Sequence, residues 1–239
     1  MRQIRWTAAG LSLALLTLAG GMSCRQAPRT YTSGDFASVR KIDAHLHDNS
    51  PSTAFVDVAR ECGFSILTIN VDYPDFPPMA DQQAVGKAHH AAYPDREAWA
   101  ATFSMNGYGE PGWASATIAH LDSALRDGAT AVKFWKNIGM VFRNREGKLV
   151  MIDDPGLDTI FNYLTARGVP IICHCGEPRD CWLPVPGMMS NDMKDYFSHH
   201  PQYHMYEHPE MPSYEAQIAA RNHRLERTPG MKFMGAHLG

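Results

Sequence analysis

Histidines end three short apolar runs of this chain, and they constrain its fold more than any other feature. The first run leads into His45-Leu46-His47, the second ends at Cys173-His174, and the third ends at Gly235-Ala236-His237. Residues i and i+2 of a strand point to the same face, so His45 and His47 can bind one metal ion together. One histidine at a strand end would be unremarkable. Four histidines on three separate strands indicate a site, and a site requires those strand ends to converge.

Apolar strands alternate with amphipathic helices along the rest of the chain. Phe55, Val58 and Cys62 recur at helical spacing before Gly63, a typical helix stop, and Asp154-Pro155 is a typical helix start. The pattern predicts strands at Lys41–His47, Phe64–Val71, Trp99–Met105, Ala131–Lys136, Val169–Cys175 and Lys232–Leu238. It also predicts helices near Met79–Tyr93, Trp113–Asp127 and Tyr214–Arg227, with a further helix after Asp154.

This α/β alternation fits a (β/α)8 TIM-type barrel, and it fits a doubly wound sheet as well. The histidines favour the barrel, because the C-terminal ends of all barrel strands face one central point. In an open sheet, ligands from the first, fifth and sixth strands would be separated by several strand spacings of about 4.8 Å. We therefore expect a barrel.

The expected barrel is incomplete, since the sequence stops directly after the sixth predicted strand. About six β/α units fit into these residues, whereas a whole barrel takes about 250 residues. We expect further residues to follow Gly239 in the complete gene product. A truncated gene is one alternative. The other is a second chain, such as another copy in a homo-oligomer, that covers the two unpaired edge strands.

The N-terminus has the pattern of an export signal. Arg2 and Arg5 precede an almost uncharged stretch, residues 6–21, that is too short and too weakly apolar for a confident membrane span. Residues 1–24 are therefore predicted to be a signal peptide. Its end, Gly21-Met22-Ser23-Cys24, resembles a bacterial lipobox in which Cys24 would carry the lipid anchor.

We accordingly expect an exported protein, either periplasmic or a membrane-anchored lipoprotein, with ordinary cleaved secretion and an uncleaved anchor as alternatives. Residues 25–38 are predicted to be a polar tether, and residues 39–239 the barrel. The net charge of −3 is too close to zero to indicate a nucleic-acid partner, so the expected partner is a small-molecule substrate.

Four segments of the chain resemble the amidohydrolase superfamily. They are Asp43–His47, Val132–Asn137, Cys173-His174 and Gly235–Gly239. The branch that they resemble is the amidohydrolase-related (amidohydrolase 2) group, which includes small-carboxylate hydrolases and decarboxylases. The resemblance runs from about Ile42 to Gly239, and it implies a (β/α)8 barrel with one or two divalent metal ions.

The resemblance also implies roles for the four histidines. His45, His47 and His174 would be metal ligands, and His237 would be a ligand or a catalytic residue that activates water or substrate. The family uses an Asp at the end of strand eight as a ligand and general base. These 239 residues contain no strand eight, so we expect little hydrolysis from this length alone.

The chemistry of the donors agrees with that resemblance. Neutral imidazoles suit zinc and similar transition metals, and three protein ligands leave a position open for a water whose pKa the metal lowers towards about 7. We therefore predict a metal-dependent hydrolase acting on an amide, ester or lactone of a small carboxylated molecule. A decarboxylase of the same superfamily is one alternative. A non-catalytic anchored binding protein or an inactive fragment is the other.

Lys133 is the second candidate catalytic residue beside His237. It lies mid-strand in an apolar run, where an unpaired ammonium is unfavourable, and alternation places it on the face of Ala131 and Trp135. In binuclear members of the superfamily a comparable lysine is carbamylated and bridges two metals. The other interpretations are binding of a substrate carboxylate, a buried salt bridge, and a structural lysine.

The segment from Gly176 to Ser213 is predicted to be a long loop above the site. Its aromatic and histidine side chains would line the substrate pocket or form a polar lid, namely Trp182, His199, His200, His204, Tyr206 and His208. Arg179 and Arg221 are candidates for binding a substrate carboxylate. Histidines in the predicted helices are expected at the surface, namely His89, His90, His120 and His223.

Overall fold

The computed structural model describes residues 30–238 of the chain. The chain divides into two units, residues 1–39 and residues 40–239. In the described part of the first unit, Ser33–Asp35 forms a 3-10 turn. At its start, the backbone N–H and the hydroxyl of Thr32 both donate to the Asp35 carboxylate. The predicted signal peptide, Cys24 and the first residues of the predicted tether lie outside the described residues.

Six strands form one sheet within residues 40–238. They are β1 (Lys41–Leu46), β2 (Phe64–Ile69), β3 (Glu97–Ala101), β4 (Ala131–Phe134), β5 (Ile171–Cys173) and β6 (Phe233–Gly235). Each strand pairs in parallel with the next strand along the chain, so the order in the sheet is the order in the sequence. A doubly wound sheet would reverse its order at a switch point, and this sheet does not. The expected incomplete (β/α) barrel is confirmed.

Helices connect the strands. They are α1 (Ala54–Glu61), α2 (Met79–Ala92), α3 (Trp113–Arg126), α4 (Asn137–Met140), α5 (Asp158–Ala166), α6 (Asn191–His199) and α7 (Tyr214–Arg227). Asp154 accepts a hydrogen bond from the backbone of Gly156 and starts the 3-10 turn that leads into α5. None of the helices between residues 30 and 238 has the length and continuous hydrophobicity that a bilayer span requires.

The two faces of the sheet pack against different partners. On the outer face, Trp99, Val132 and Phe134 belong to the large core that the sheet forms with α3 and α5. On the inner face, a smaller buried cluster contains Ile69, Val71, Ala100, Ala131, Trp135 and Ile172. Because alternate residues of a strand face opposite ways, Lys133 lies on this inner face, together with its strand neighbour Ile172.

A β-bulge in β1 sets the direction of the first two histidines. Asp43 pairs with Ile66 and Leu46 pairs with Thr68, so three steps on β1 oppose two steps on β2. The extra residue places Leu46 on the outer face beside Thr68, and His45 and His47 on the inner face. Bulges of this kind re-aim side chains and are common next to active sites.

Several predicted boundaries were wrong. The third strand begins at Glu97 and ends at Ala101, because pairing with β2 and β4 selects those residues. The predicted loop contains α6, a mostly polar helix in which Phe197 is the buried residue, so it lacks the apolar content that indicated the other helices. In α1, Val56 is the buried residue, whereas Phe55 and Val58 are about half exposed at 50% and 57%.

Candidate metal centre at the strand ends

Four imidazoles meet at the C-terminal edge of the sheet. The ring centroid of His45 lies 5.8 Å from that of His47 and 4.9 Å from that of His237. The His237 ring lies 4.4 Å from the His174 ring. The structure thus brings together all four histidines that the sequence singled out, from the ends of β1, β5 and β6.

Backbone contacts orient these rings. Nδ1 of His47 lies 2.6 Å from the carbonyl oxygen of Ile69, which fixes that nitrogen as the donor and leaves Nε2 with a free lone pair. The backbone N–H of His174 donates to the Phe134 carbonyl at 3.1 Å. His237 has a left-handed backbone with φ of 55° and ψ of 35°, a conformation that few non-glycine residues adopt.

The surroundings keep all four rings in the neutral, metal-binding form. Burial, followed by the Lys133 ammonium and the neighbouring imidazoles, lowers the pKa of His45 to about 4. Burial also lowers the pKa of His47, against the opposing effect of the Ile69 carbonyl. The pKa values of His174 and His237 are lowered by burial too, although Glu177 opposes that shift in both.

The donor types suit a divalent transition-metal ion. Bonds of about 2.0–2.1 Å in a tetrahedral site place neighbouring imidazole centroids about 5 Å apart, and the three centroid distances above lie on either side of that value. No three of these rings have ligand nitrogens within 4.8 Å of one another in the described residues, so the rings must move closer to hold one ion. Both ring nitrogens of the buried His174 lack a hydrogen-bond partner within residues 30–238. A buried nitrogen without a partner is unfavourable unless something binds it, so a metal ion is an appropriate partner.

Lys133 is fully buried beside the histidines. Its Nζ lies 3.5 Å from Nε2 of His45 and 5.4 Å from the ring centroid of Trp135. In the described part of the chain it forms no ion pair with a carboxylate, so the geometry offers no partner for a buried salt bridge. Burial lowers its pKa to about 8, so about a tenth of the amine is neutral at pH 7 and most of it is still the ammonium.

Glu177 is a site residue that the sequence analysis missed. Its Oε2 lies 3.8 Å from Nε2 of His174, and its Oε1 forms an ion pair with Lys136. Burial opposes ionisation of Glu177, but His174 and Lys136 outweigh burial and hold its pKa at about 2. The centre therefore contains a permanent carboxylate. The only sequence signal for it was its position three residues after His174.

A cavity of about 550 Å³ opens beside the histidines. Trp135 and Phe76 form part of its wall, and both rings also contact His47. The other aromatic residues that line it are Tyr73, Tyr196 and Tyr203. Of the loop residues named from the sequence, His208 lines this cavity, whereas His204 is buried and bonds to the Leu183 carbonyl.

A smaller cavity of about 220 Å³ is lined by His237. Its lining includes Arg179 and Arg221, the two residues that the sequence suggested for binding a carboxylate, together with Glu177. The two arginines are therefore placed beside the site. Their role as carboxylate ligands stays a prediction.

His89 was predicted to lie at the surface, and this prediction was wrong. That side chain is almost fully buried between α2 and β3, because α2 packs its polar face as well as its apolar residues against the sheet. His90 and His120 are half-buried and bond to backbone carbonyls of Glu97 and Thr102. His223 is exposed, as expected.

No protein-family model matches the chain, and no curated protein sequence matches it. Solved structures do resemble it. The 2,6-dihydroxybenzoate decarboxylase from Rhizobium superposes with a TM-score of 0.51 and 13% identity, over 83% of this chain and 66% of that one. The complex of 2,6-dihydroxybenzoate decarboxylase with 2,6-dihydroxybenzoate gives a TM-score of 0.51 and 12% identity, over 83% and 67%.

An amidohydrolase from Mycobacterium avium subsp. paratuberculosis K-10 superposes less closely, with a TM-score of 0.43 and 15% identity over 78% of this chain and 48% of that one. The chain thus spans about two thirds of the length of the decarboxylase from Rhizobium. At these identities, the similarity to the decarboxylase is a similarity of fold, and it agrees with the barrel topology of the sheet.

The lowered pKa of His45 predicts how stability depends on pH in the metal-free protein. Its ordinary value is 6.5 and its folded value is about 4, so the unfolded chain binds more protons between those values. The stabilisation that the neutral His45 ring contributes is present above about pH 6.5 and is lost as the pH falls towards 4. We expect the free energy of unfolding, measured with urea in the presence of a chelator, to fall through this window.

Replacing His45 with Gln should make that fall shallower, because one titrating group is removed. The control is His199→Gln, which removes an exposed imidazole and should leave the slope unchanged. If His45→Gln and the wild type lose stability equally between about pH 6.5 and 4, the ring is not held neutral by the fold.

Proposed function

We propose that this chain is a member of the amidohydrolase superfamily, and that His45, His47 and His174 bind its divalent metal ion, with His237 beside it. The observation that carries the proposal is the convergence of four neutral imidazoles at the C-terminal edge of a parallel sheet. Active sites of barrel enzymes lie at this edge. The fold similarity to 2,6-dihydroxybenzoate decarboxylase supports the same family.

Zinc is the ion that we propose, because neutral imidazoles are among its preferred ligands. When bound, the ion would polarise a substrate carbonyl and lower the pKa of water. The contribution of the chain is to hold the donors in place. The carbonyl of Ile69 fixes the tautomer of His47, and the buried walls around His174 keep that ring from protonation.

His237 is the proposed acid–base residue. Its lowered pKa leaves a ring nitrogen free to accept a proton when water attacks the substrate carbonyl carbon. The same proton would then pass to the leaving nitrogen or oxygen as the C–N or C–O bond breaks. This sequence of steps hydrolyses an amide, ester or lactone, with one water consumed and the ring returned to its neutral form.

The two cavities suggest the shape of the substrate. The aromatic walls of the larger cavity suit a compact apolar or planar group, and its volume is typical of small-molecule sites. Arg179 and Arg221 in the smaller cavity would suit a carboxylate, which a guanidinium binds through paired hydrogen bonds. A small carboxylated molecule with a planar part meets both conditions.

Decarboxylation is the second candidate. The printed name of the similar Rhizobium structure is 2,6-dihydroxybenzoate decarboxylase, and the aromatic walls here would accommodate a ring of that kind. In such a reaction the C–C bond to the carboxylate breaks, carbon dioxide leaves, and the carbon takes up a proton. Protonated Lys133, whose pKa is about 8, would be a suitable donor for that proton.

Product analysis tests the proposal. The chain, together with any residues that its gene encodes after Gly239, is loaded with zinc and given aryl amides, esters, lactones and hydroxybenzoates. We expect either hydrolysis products or carbon dioxide, and the product identifies the reaction. Replacing His237 with Ala should lower kcat by about 10²–10⁴-fold, as loss of an acid–base residue does. The exposed His199→Ala is the matched control.

Turnover that persists after chelation, or that is equal in His237→Ala and the wild type, would contradict the proposed site.

Lys133→Met distinguishes the interpretations of that lysine. Loss of metal from the variant would indicate a carbamylated, bridging lysine. Unchanged metal content with a higher KM would indicate that Lys133 binds the substrate carboxylate, and unchanged KM with lower kcat would indicate proton transfer.

We also propose export of the protein, with a lipid on Cys24. The support is the pair of N-terminal arginines, the apolar stretch and the lipobox-like ending in the sequence. The mature protein isolated from bacterial membranes should begin at Cys24, and its measured mass should include acyl chains. A mature N-terminus elsewhere, without added lipid, would contradict the anchor, and an intact Met1 would contradict cleavage.

A further inference from the structure

Three ionisable side chains are buried together on the outer face of the sheet. They are Asp48, His89 and Glu97, with side chains that are 6%, 3% and 0% exposed. Ionisable groups are almost never this buried unless they are paired or bind a metal. The amidohydrolase-type chemistry proposed above uses none of them.

The cluster is separated from the four imidazoles by the sheet itself. Glu97 begins β3 on the face of Trp99 and Ala101, which belong to the outer core. His89 reaches this face from α2. Asp48 lies two residues after the end of β1, where its backbone N–H donates to the Thr68 hydroxyl at 2.9 Å on the same outer side.

Most of the polar atoms in the cluster have no hydrogen-bond partner. Oδ1 of Asp48 accepts from the Ser50 backbone at 3.1 Å, but Oδ2 has no partner. Both ring nitrogens of His89 and both carboxylate oxygens of Glu97 also lack one within residues 30–238. A buried polar group without a partner is unfavourable, so a set of this size calls for a ligand.

The separations fit coordination better than they fit hydrogen bonding. Nδ1 of His89 lies 3.4 Å from Oε1 of Glu97 and 3.6 Å from Oδ2 of Asp48. Charge-assisted hydrogen bonds are about 2.7–2.9 Å long. In a tetrahedral zinc site with bonds of about 2.0–2.2 Å, neighbouring ligand atoms lie about 3.3–3.6 Å apart. All three ligand atoms lie within 4.8 Å of one another.

The charges also match a divalent ion. Two carboxylates and a neutral imidazole carry two negative charges, which one divalent cation balances, whereas protonation of His89 would balance only one.

We propose that Asp48, His89 and Glu97 form a second site for a divalent cation of the zinc class. The mixed nitrogen and oxygen donors suit zinc and neighbouring transition metals. The site is closed to solvent, so its role is structural. The ion would join the end of β1 to α2 and to the start of β3, and Asp48 directly follows the metal-centre residue His47.

Zinc stoichiometry separates the two sites. The purified chain is saturated with zinc, passed over a chelating resin and measured by elemental analysis. We expect about two ions per chain for the wild type, and about one for the double variant His45→Ala with His47→Ala. Glu97→Gln should also hold about one. Combining all three substitutions should leave none, and the exposed Asp81→Asn on α2 is the control, with zinc unchanged.

If the double variant holds no zinc while the wild type holds one ion, the second site does not exist and the histidine centre stands. If instead Glu97→Gln alone removes the single ion, the second site stands and the histidine centre fails. If the triple variant holds as much zinc as the double variant, Glu97 is not a ligand, and this inference is overturned.

If Glu97→Gln does not fold, a spectroscopic measurement on a different variant tests the same site. In the background without His45 and His47, His89→Cys loaded with cobalt(II) should gain a sulfur-to-cobalt charge-transfer band. The same background with Ala88→Cys, one residue along α2 and exposed, should not. Absence of the band in a folded, cobalt-treated His89→Cys protein would contradict coordination at position 89.

Discussion

Burial of imidazoles at the strand ends is the interaction on which the site depends. Water removal lowers the pKa of all four histidines, and the Lys133 ammonium strengthens that effect at His45. Neutral rings keep their lone pairs for a metal ion, and they do not repel one another as imidazolium ions would. The same burial makes Lys133 a weaker base, so the four imidazoles and this lysine share one physical cause. Glu177 differs, because His174 and Lys136 hold its pKa low against the effect of burial.

The parallel sheet sets the positions of the histidines whose pKa values burial lowers. Sequential strand order brings the ends of β1, β5 and β6 to one edge, and the bulge in β1 turns His45 and His47 inwards. The outer face carries the apolar core with the helices, and beside it the buried Asp48 cluster. Each face of the same strands thus holds buried polar atoms that lack a hydrogen-bond partner within residues 30–238, and a divalent ion suits both sets.

The sequence predicted the barrel and the meeting of the histidines because both follow from local signals. Strand-end histidines and alternating periodicity are visible along the chain, and the bounds of α7 were predicted as they are observed. Burial of His89 was not predictable, since Asp48 comes from a distant segment and Glu97, on the next strand, is brought against His89 only when α2 packs on the sheet. Glu177 was missed for the related reason that its environment depends on Lys136 from another strand end.

The position of zinc in crystals of the protein, located by anomalous diffraction at the zinc edge, tests the proposed metal centre most directly. We expect a peak at the inner edge of the sheet, about 2.0–2.1 Å from a ring nitrogen of each of His45, His47 and His174. Crystals grown with excess zinc that show no peak among these rings, while the rings stay within contact of one another, would contradict it.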